Sequence, residues 1–540
     1  MSETASEKVQ PESSGTGVHA VMVAAGILLS RLAGLVRESI FAHYFGNSDA
    51  ADAYKAAFRI PNFLATLFGE GVLSASFIPV YANLLARDDE QEARRVAGAV
   101  LSLLSMVVAV IVLLGVLLTP LFIDLIAPGF HGAKRDLTIQ LVRIAFPGIG
   151  LLVLSAWCLG ILNSHRRFFL SYVAPVAWNA VIVFTLIAFG RRHGQFDLAV
   201  IVTWGAVVGS AMQLIVQLPT VFKLLHGLPL VFDTVSKNVR IVVSNFVPVF
   251  ISRGVVQVSA YVDQLLSSLL GTGAVAALAY AQQLYLMPIS LFGMSVSAAE
   301  LPAMSGALGD EGEIANHLVT RLNYGLRQIA FFVVPSAAAF LAFGDLINGA
   351  IYQSGQFTHK DALYVWGILA GSSIGMVAST LGRLYSSAYY AMRDTRTPLK
   401  FAVVRVVLTS GLGYLAAIPL PPKLGLDLKW GVAGLTATAG IAAWVEFTLL
   451  RTTLNKRIGR TGLPAQLVGK LWSAALLAAA LGWAIRLGLG PHNPRILAVL
   501  VVGPYGVAYL GLTIAFKVKE ARGAIDRVIR MTKGRSARRA

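Results

Sequence analysis

Apolar stretches of about 18 residues or more follow one another along almost the whole chain, separated by short polar loops. Each is long enough to cross about 30 Å of hydrocarbon as a helix, and in lipid only a helix satisfies its own backbone within one segment. The pattern predicts an all-α polytopic membrane protein with about 14 spans. They fall near 18–45, 49–85, 96–118, 137–162, 172–189, 198–222, 241–270, 275–308, 324–346, 363–391, 401–418, 430–450, 471–489 and 496–516. The second is too long for one straight crossing, and Pro61, Gly69, Gly71 and Pro79 predict a bent or broken helix there. Residues 1–17 are polar and read as a disordered cytoplasmic tail. Residues 224–240 read as an amphipathic linker on the cytoplasmic surface, and 518–540 as a basic cytoplasmic tail.

The chain also matches itself. Ser30-Arg31 recurs as Ser252-Arg253, Gly46 as Gly271, Pro61 as Pro288, and Leu67-Phe68-Gly69 as Leu291-Phe292-Gly293. Ser74-Ala75 and Pro79 recur as Ser297-Ala298 and Pro302, and Pro175 as Pro398, always 222 to 227 residues apart. A repeat of six spans, an even number, gives two lobes that enter the membrane the same way round, 18–223 and 241–451, related by a pseudo-twofold axis along the membrane normal. Residues 471–517 add two helices outside the repeat. In such repeats the substrate site lies between the halves near the midplane, which makes Arg31 and Arg253 symmetry mates facing one cavity.

Composition agrees: 56% hydrophobic, 13% charged, mean hydropathy +0.69. The net charge of +18 raises nucleic acid as a partner. With the N-terminus cytoplasmic, however, about 28 of the Lys and Arg residues fall in cytoplasmic tails and loops, about 9 in outer loops and about 8 in spans. That is the positive-inside pattern, with both termini cytoplasmic, and it assigns the basic tail to anionic lipid headgroups instead of nucleic acid. A single cysteine, Cys158, excludes an intrachain disulfide.

Chemistry concentrates between Ser30 and Pro79, where Arg31, Arg37, Glu38, Asp52, Lys55, Arg59 and Glu70 interrupt apolar sequence. Charges at membrane depth cost a few kcal/mol each and usually face a wet cavity or a partner. Four cations there predict the wall of an anion-binding cavity; the plainer reading for Lys55 and Arg59 is that they snorkel from helix ends. Gly371-Ser372-Ser373-Ile374-Gly375 matches G-x-S-x-G, but it lies in a span whose Gly367, Gly371 and Gly375 form a packing ridge, where a nucleophile elbow needs a strand and a turn. No H-E-x-x-H pair or phosphate-binding loop occurs. The chain reads as a secondary transporter and not an enzyme, its cargo anionic. Arg31, Arg37 and Arg253 suit a diphosphate through their planar donor forks. Asp52, Glu70 and Asp263 read as counter-charges or ion-coupling groups; for Asp263 the alternative is a structural pair.

At this point SRLAGLVRESIFAHYFG, DAYKAAFRIPNFLATLFGEGVLSASFIPVY, GSAMQLIVQLP, ALAYAQQLYLMPISLFGMSVSAAELP, YQSGQFT and AMRDTRTPLK resemble the MurJ/MviN lipid II flippases of the MOP exporter superfamily, over about residues 18–517. The resemblance implies an inner-membrane carrier that moves an undecaprenyl-diphosphate-linked glycopeptide outward for peptidoglycan synthesis. It implies Arg31, Arg37, Asp52 and Glu70 as substrate-site positions, to which the reading of the residues adds Arg59, Arg253 and Gln283; it also implies a lipid-tail groove at 471–517 and cell-wall synthesis enzymes as partners. No cofactor is implied except sodium as coupling ion in some members, at positions matching Asp263, Asp394, Val406 and Ser410; Tyr390 stands where an amide ligand belongs.

Two departures stand out. Ala65 and Gln283 occupy positions where well-known members carry arginine. We expect Arg253 to supply part of that charge; intact transport in Arg253→Ala beside its loss in Arg31→Ala would sink the idea. The alternatives are a carrier of another polyprenyl-diphosphate oligosaccharide, a MATE-like exporter, and a scaffold for cell-wall enzymes that transports nothing.

Overall fold

A computed structural model describes residues 15–227, 236–306, 310–490 and 492–523. The helices begin with α1 (Gly15–Phe45), α2 (Asp49–Ala57), α3 (Arg59–Thr66), α4 (Ser74–Ser76), α5 (Ile78–Ala86), α6 (Glu90–Leu117) and α7 (Thr119–Ile126). They continue with α8 (Gly132–Ser164), α9 (Phe168–Phe189), α10 (Gln195–Leu225), α11 (Lys237–Ser268), α12 (Ala274–Pro288), α13 (Ser295–Ser305) and α14 (Glu311–Tyr352). Last come α15 (His359–Ile374), α16 (Met376–Ala391), α17 (Arg396–Ala417), α18 (Leu420–Lys423), α19 (Gly431–Ile458), α20 (Ala465–Leu489) and α21 (Pro494–Ala515). No strand occurs among the described residues. The fold is all-α and polytopic, as the apolar pattern requires.

Among the described residues, ten helices are long and apolar enough to cross a membrane, or eleven when α15 and α16, bent by 43°, are taken as one span. The expected fourteen would require α1, α11 and the broken series α2–α5 as further spans. Large apolar side chains stand outside on these helices, among them Phe184 (70% exposed), Leu487 (76%) and Val507 (73%), as lipid-facing surfaces do and soluble ones do not.

The second span is indeed broken. Between α3 and α4 the backbone makes a π-helical turn at Leu67–Leu73, and its counterpart between α12 and α13 is the π-helical Ile289–Met294. The two copies of Leu-Phe-Gly lie in these two turns, so the duplication inferred from sequence repeats a backbone irregularity as well. Such turns are frequent at functional sites.

The chain divides into two compact units. The first holds the described residues up to Phe41, Ala56–Asp124 and Gly132–Gln257; the second holds Ala42–Lys55, Leu125–His131 and the chain from Val258 on. This differs from the sequence-level lobes: the tip of α1 with α2 and the α7–α8 turn pack with the second unit, and α11 begins in the first. The N-terminal tail to 14, linker residues 228–235 and the tail from 524 lie outside the described residues.

In the first unit α8 is the core. Trp157 is fully buried and donates from Nε1 to Ala97 O on α6. Ser155 accepts from Gln213 and Gln217 of α10, both at 3.0 Å, which ties α10 to α8 through polar groups in an apolar interior. In the second unit α14 is the axis. Pro335 cannot donate to Phe331 O four residues back, and Tyr509 of α21 supplies the missing donor at 2.7 Å. Asp345 of α14 and Arg486 of α20 pair at 2.6 Å, and Arg327 of α14 pairs with Glu520 at 2.5 Å, fixing α20 and the segment that follows α21 to α14. The glycine ridge is a packing device: a Cβ on Gly371 would come within 2.6 Å of Ala433 O, and one on Gly375 within 2.4 Å of Gly440 Cα, so α15 and α19 touch backbone to backbone. The G-x-S-x-G match is therefore no nucleophile elbow.

Candidate functional site

In the first unit the candidate site is built on α1. Arg31 lies in the apolar body of this helix and is exposed between Leu28 and Leu32, themselves 48% and 49% exposed. Its guanidinium has neither an ion pair nor a hydrogen bond among the described residues. Arg37 is six positions on, which places it about 120° around the helix from Arg31. It is half-buried, and its Nη2 donates to Glu38 Oε1 at 2.7 Å. Its guanidinium also stacks over Trp178 of α9, 4.7 Å from the ring centroid. That indole is in turn fixed by donating to Ala206 O. A cation on an aromatic face and against a carboxylate is held rigidly and partly neutralised. Glu38, 7% exposed, is the counter-charge of Arg37. Trp178 was missed; its only sequence signal was an aromatic three residues after Pro175.

Arg59 is half-buried at the start of α3. Glu70 falls in the first π-helical turn and Arg253 in α11, and the side chains of both lie outside the described residues. Gln283 is half-buried on α12 in the second unit.

Asp52 belongs to the second unit and is fully buried. Its Oδ2 accepts from Gly273 N at 2.7 Å and its Oδ1 from Ala276 N at 2.8 Å. The carboxylate therefore caps the N-terminus of α12, where free N–H groups and the helix dipole favour negative charge. Gly273 must be glycine: its φ is +81°, and a Cβ there would lie 2.7 Å from Asn47 O. The same turn is tied by Thr272 donating to Asp49, Tyr280 donating to Gly46 O, and Asn47 donating to Asp361. Lys55 sits over the Tyr280 ring at 5.3 Å. Both oxygens of Asp52 serve the backbone, an architectural use where a substrate contact was expected.

The four sodium positions do not form one shell. Asp394 accepts from Arg396 N, Thr397 N, Thr397 Oγ1 and, at 2.6 Å, Arg457 Nη1. These contacts, the Thr397 backbone first, hold its carboxyl down at about 2. It precedes α17, while Val406 and Ser410 lie about 15 and 21 Å into that unbroken helix, too far to share an ion. Ser410 Oγ donates to Val406 O at 2.8 Å. Asp263 is half-buried on α11.

One further groove, on α8 and α10 of the first unit, is lined by Asp136, Gln140, Arg143, Pro147 and Trp204.

Comparison with known proteins gives a consistent picture. The family model described as lipid II flippase MurJ matches residues 41–501. A lipid II flippase MurJ of Burkholderia cenocepacia is 30% identical over 468 residues, 84% of this chain and 87% of that protein. A probable lipid II flippase MurJ of Rhizobium tropici is 31% identical over 446 residues, 81% of this chain and 80% of that one. Among solved structures, a lipid II flippase MurJ in an inward closed conformation superposes with a TM-score of 0.76 at 24% identity, covering 92% of this chain and 98% of the other. An inward-facing multidrug resistance MATE transporter of the MOP superfamily gives 0.65 at 16%, over 81% and 98%. The similarity spans both repeats, and the chain belongs to the lipid II flippase MurJ family.

Proposed function

We propose that this protein is the carrier of lipid II in its cell, moving the undecaprenyl-diphosphate-linked glycopeptide from the cytoplasmic to the outer leaflet by alternating access. The observation that carries the reading is Arg31, an unpartnered guanidinium on the apolar body of α1 in a chain matched to the flippase family through both repeats. A fixed cation at that depth is costly unless an anion visits it, and a diphosphate offers the bidentate geometry arginine prefers. Arg37, oriented by Glu38 and Trp178, is the second contact. The role needs no catalytic group. The charge distribution supports cytoplasmic termini. Membrane potential drives the cycle. Of the expected sodium residues, Asp263, Val406 and Ser410 stay in the proposal, Asp394 being committed to its own turn. Cell-wall synthesis enzymes acting on the outer face are the partners that consume the cargo.

The test is the position of the precursor when the protein is depleted, read with an outer-face enzyme that cleaves only outward-facing lipid II. Precursor should become protected, and wild type but not Arg31→Ala should restore cleavage. Undiminished cleavage on depletion would point to another cargo or a scaffold.

A further inference from the structure

The second unit holds a set of charges that no role above explains. Helices α16, α17 and α19 meet at one end, where Arg457 near the end of α19 pins the α16–α17 turn through Asp394. Counted inward from that end, Arg383 lies about 12 Å, Arg405 about 14 Å and Glu446 about 18 Å along their helices. Arg405 Nη1 donates to Glu446 Oε2 at 3.0 Å. Arg383 lies within electrostatic reach of Arg405, Glu446, Tyr285 and Tyr390. It is exposed, and its guanidinium has no hydrogen bond or ion pair among the described residues. One turn before it, Ser379 Oγ shares a hydrogen bond with Tyr285 OH at 3.0 Å.

Two arginines thus stand in the neighbourhood of one carboxylate, and that carboxylate is engaged by Arg405. One positive charge is left over at membrane depth, repelled by its neighbour and bordered by hydroxyl groups that can donate. Such an arrangement is costly when empty and relieved by an anion. Arginine's planar fork favours a phosphate oxygen pair over a single-point contact.

We propose that Arg383 and Arg405, with Tyr285 beside them, form an anion site that takes the diphosphate of the polyprenyl-linked cargo from the second unit. This rests on the lipid II reading. It supplies from α16 the charge missing at Gln283 on α12, a role the sequence had given to Arg253. Glu446 orients Arg405 and weakens the site by partial neutralisation, so its loss strengthens anion binding.

The test uses the purified full-length protein in nanodiscs of zwitterionic lipid, with undecaprenyl diphosphate as probe and phosphatidylglycerol as competitor, read by native mass spectrometry. Arg383→Gln should weaken undecaprenyl diphosphate binding about tenfold or more, as loss of a charge-assisted contact does. Glu446→Gln should strengthen it several-fold, and phosphatidylglycerol should compete poorly. Should Arg383→Gln fail to fold, the direction of the Glu446→Gln effect decides alone. Affinities within twofold of wild type in both variants, with Arg31→Ala defective, would overturn this site and leave the flippase reading standing. Equal, Arg383-dependent binding of both lipids would overturn the assignment to cargo in favour of a headgroup site. Arg383-dependent phosphatidylglycerol binding without any undecaprenyl diphosphate binding by the wild type would overturn the lipid II reading itself.

Discussion

The C-terminal helices and the first helix treat charge in opposite ways. Where α20 and the segment after α21 meet α14, the cations have partners: Arg486 holds Asp345, which is 7% exposed, and Arg327 holds Glu520. On α1, Arg31 stands open among leucines and Arg37 is only half-neutralised. Both regions are built of predominantly apolar helices, and hydropathy says nothing of how each treats its cations. Pairing does. At membrane depth a closed ion pair is architecture, and a cation left open is waiting for something the chain does not contain.

This contrast can be broken experimentally. The largest stability effect should come from Arg486→Ala, which leaves Asp345 buried and uncompensated. A loss of about 3–5 kcal/mol is expected, seen as a lower unfolding temperature in detergent, with the double variant Asp345→Asn/Arg486→Gln recovering much of it. Arg31→Ala should do the reverse, leaving the unfolding temperature near wild type while lipid II translocation falls at least tenfold in the cleavage assay. A large thermal shift in Arg31→Ala would place that residue with the paired group after all.

Asp52→Asn sharpens the comparison between clamp and contact. It removes one charged acceptor from the α12 N-terminus, and about 1–3 kcal/mol of stability should go with it. Affinity for undecaprenyl diphosphate should stay unchanged; a selective loss of affinity would return Asp52 to the substrate site. The smallest effect concerns Asp394. Its folded carboxyl titrates near 2, below the usual carboxylate range, so its stabilisation is complete above about pH 4 and is lost as pH falls toward 2. Its exposure limits this to no more than about 1 kcal/mol. Asp394→Asn should flatten that part of the stability-versus-pH curve.

Much of this was legible in the residues. Span positions follow from hydrophobic length, and the break at Leu67–Leu73 follows from its glycines and prolines. The duplication was readable because Leu-Phe-Gly and its flanking prolines recur in register. The glycine ridge was recognisable because small residues every fourth position leave no other purpose in an apolar helix. What stayed hidden were partners brought from far along the chain. Nothing near Arg37 announces Trp178, and nothing near Arg405 announces Glu446. The sodium positions came from the family resemblance, and the helix rise that separates Asp394 from Val406 is invisible to such a match.

The Asp52 clamp has one more consequence. The residue whose amide it grips, Ala276, is 224 positions away, so one buried side chain from α2 finishes a helix encoded in the far half of the sequence. The first turn of α12 has no cap of its own and is completed only once α2 has been brought against it. Local sequence starts that helix, and a distant carboxylate settles where it begins.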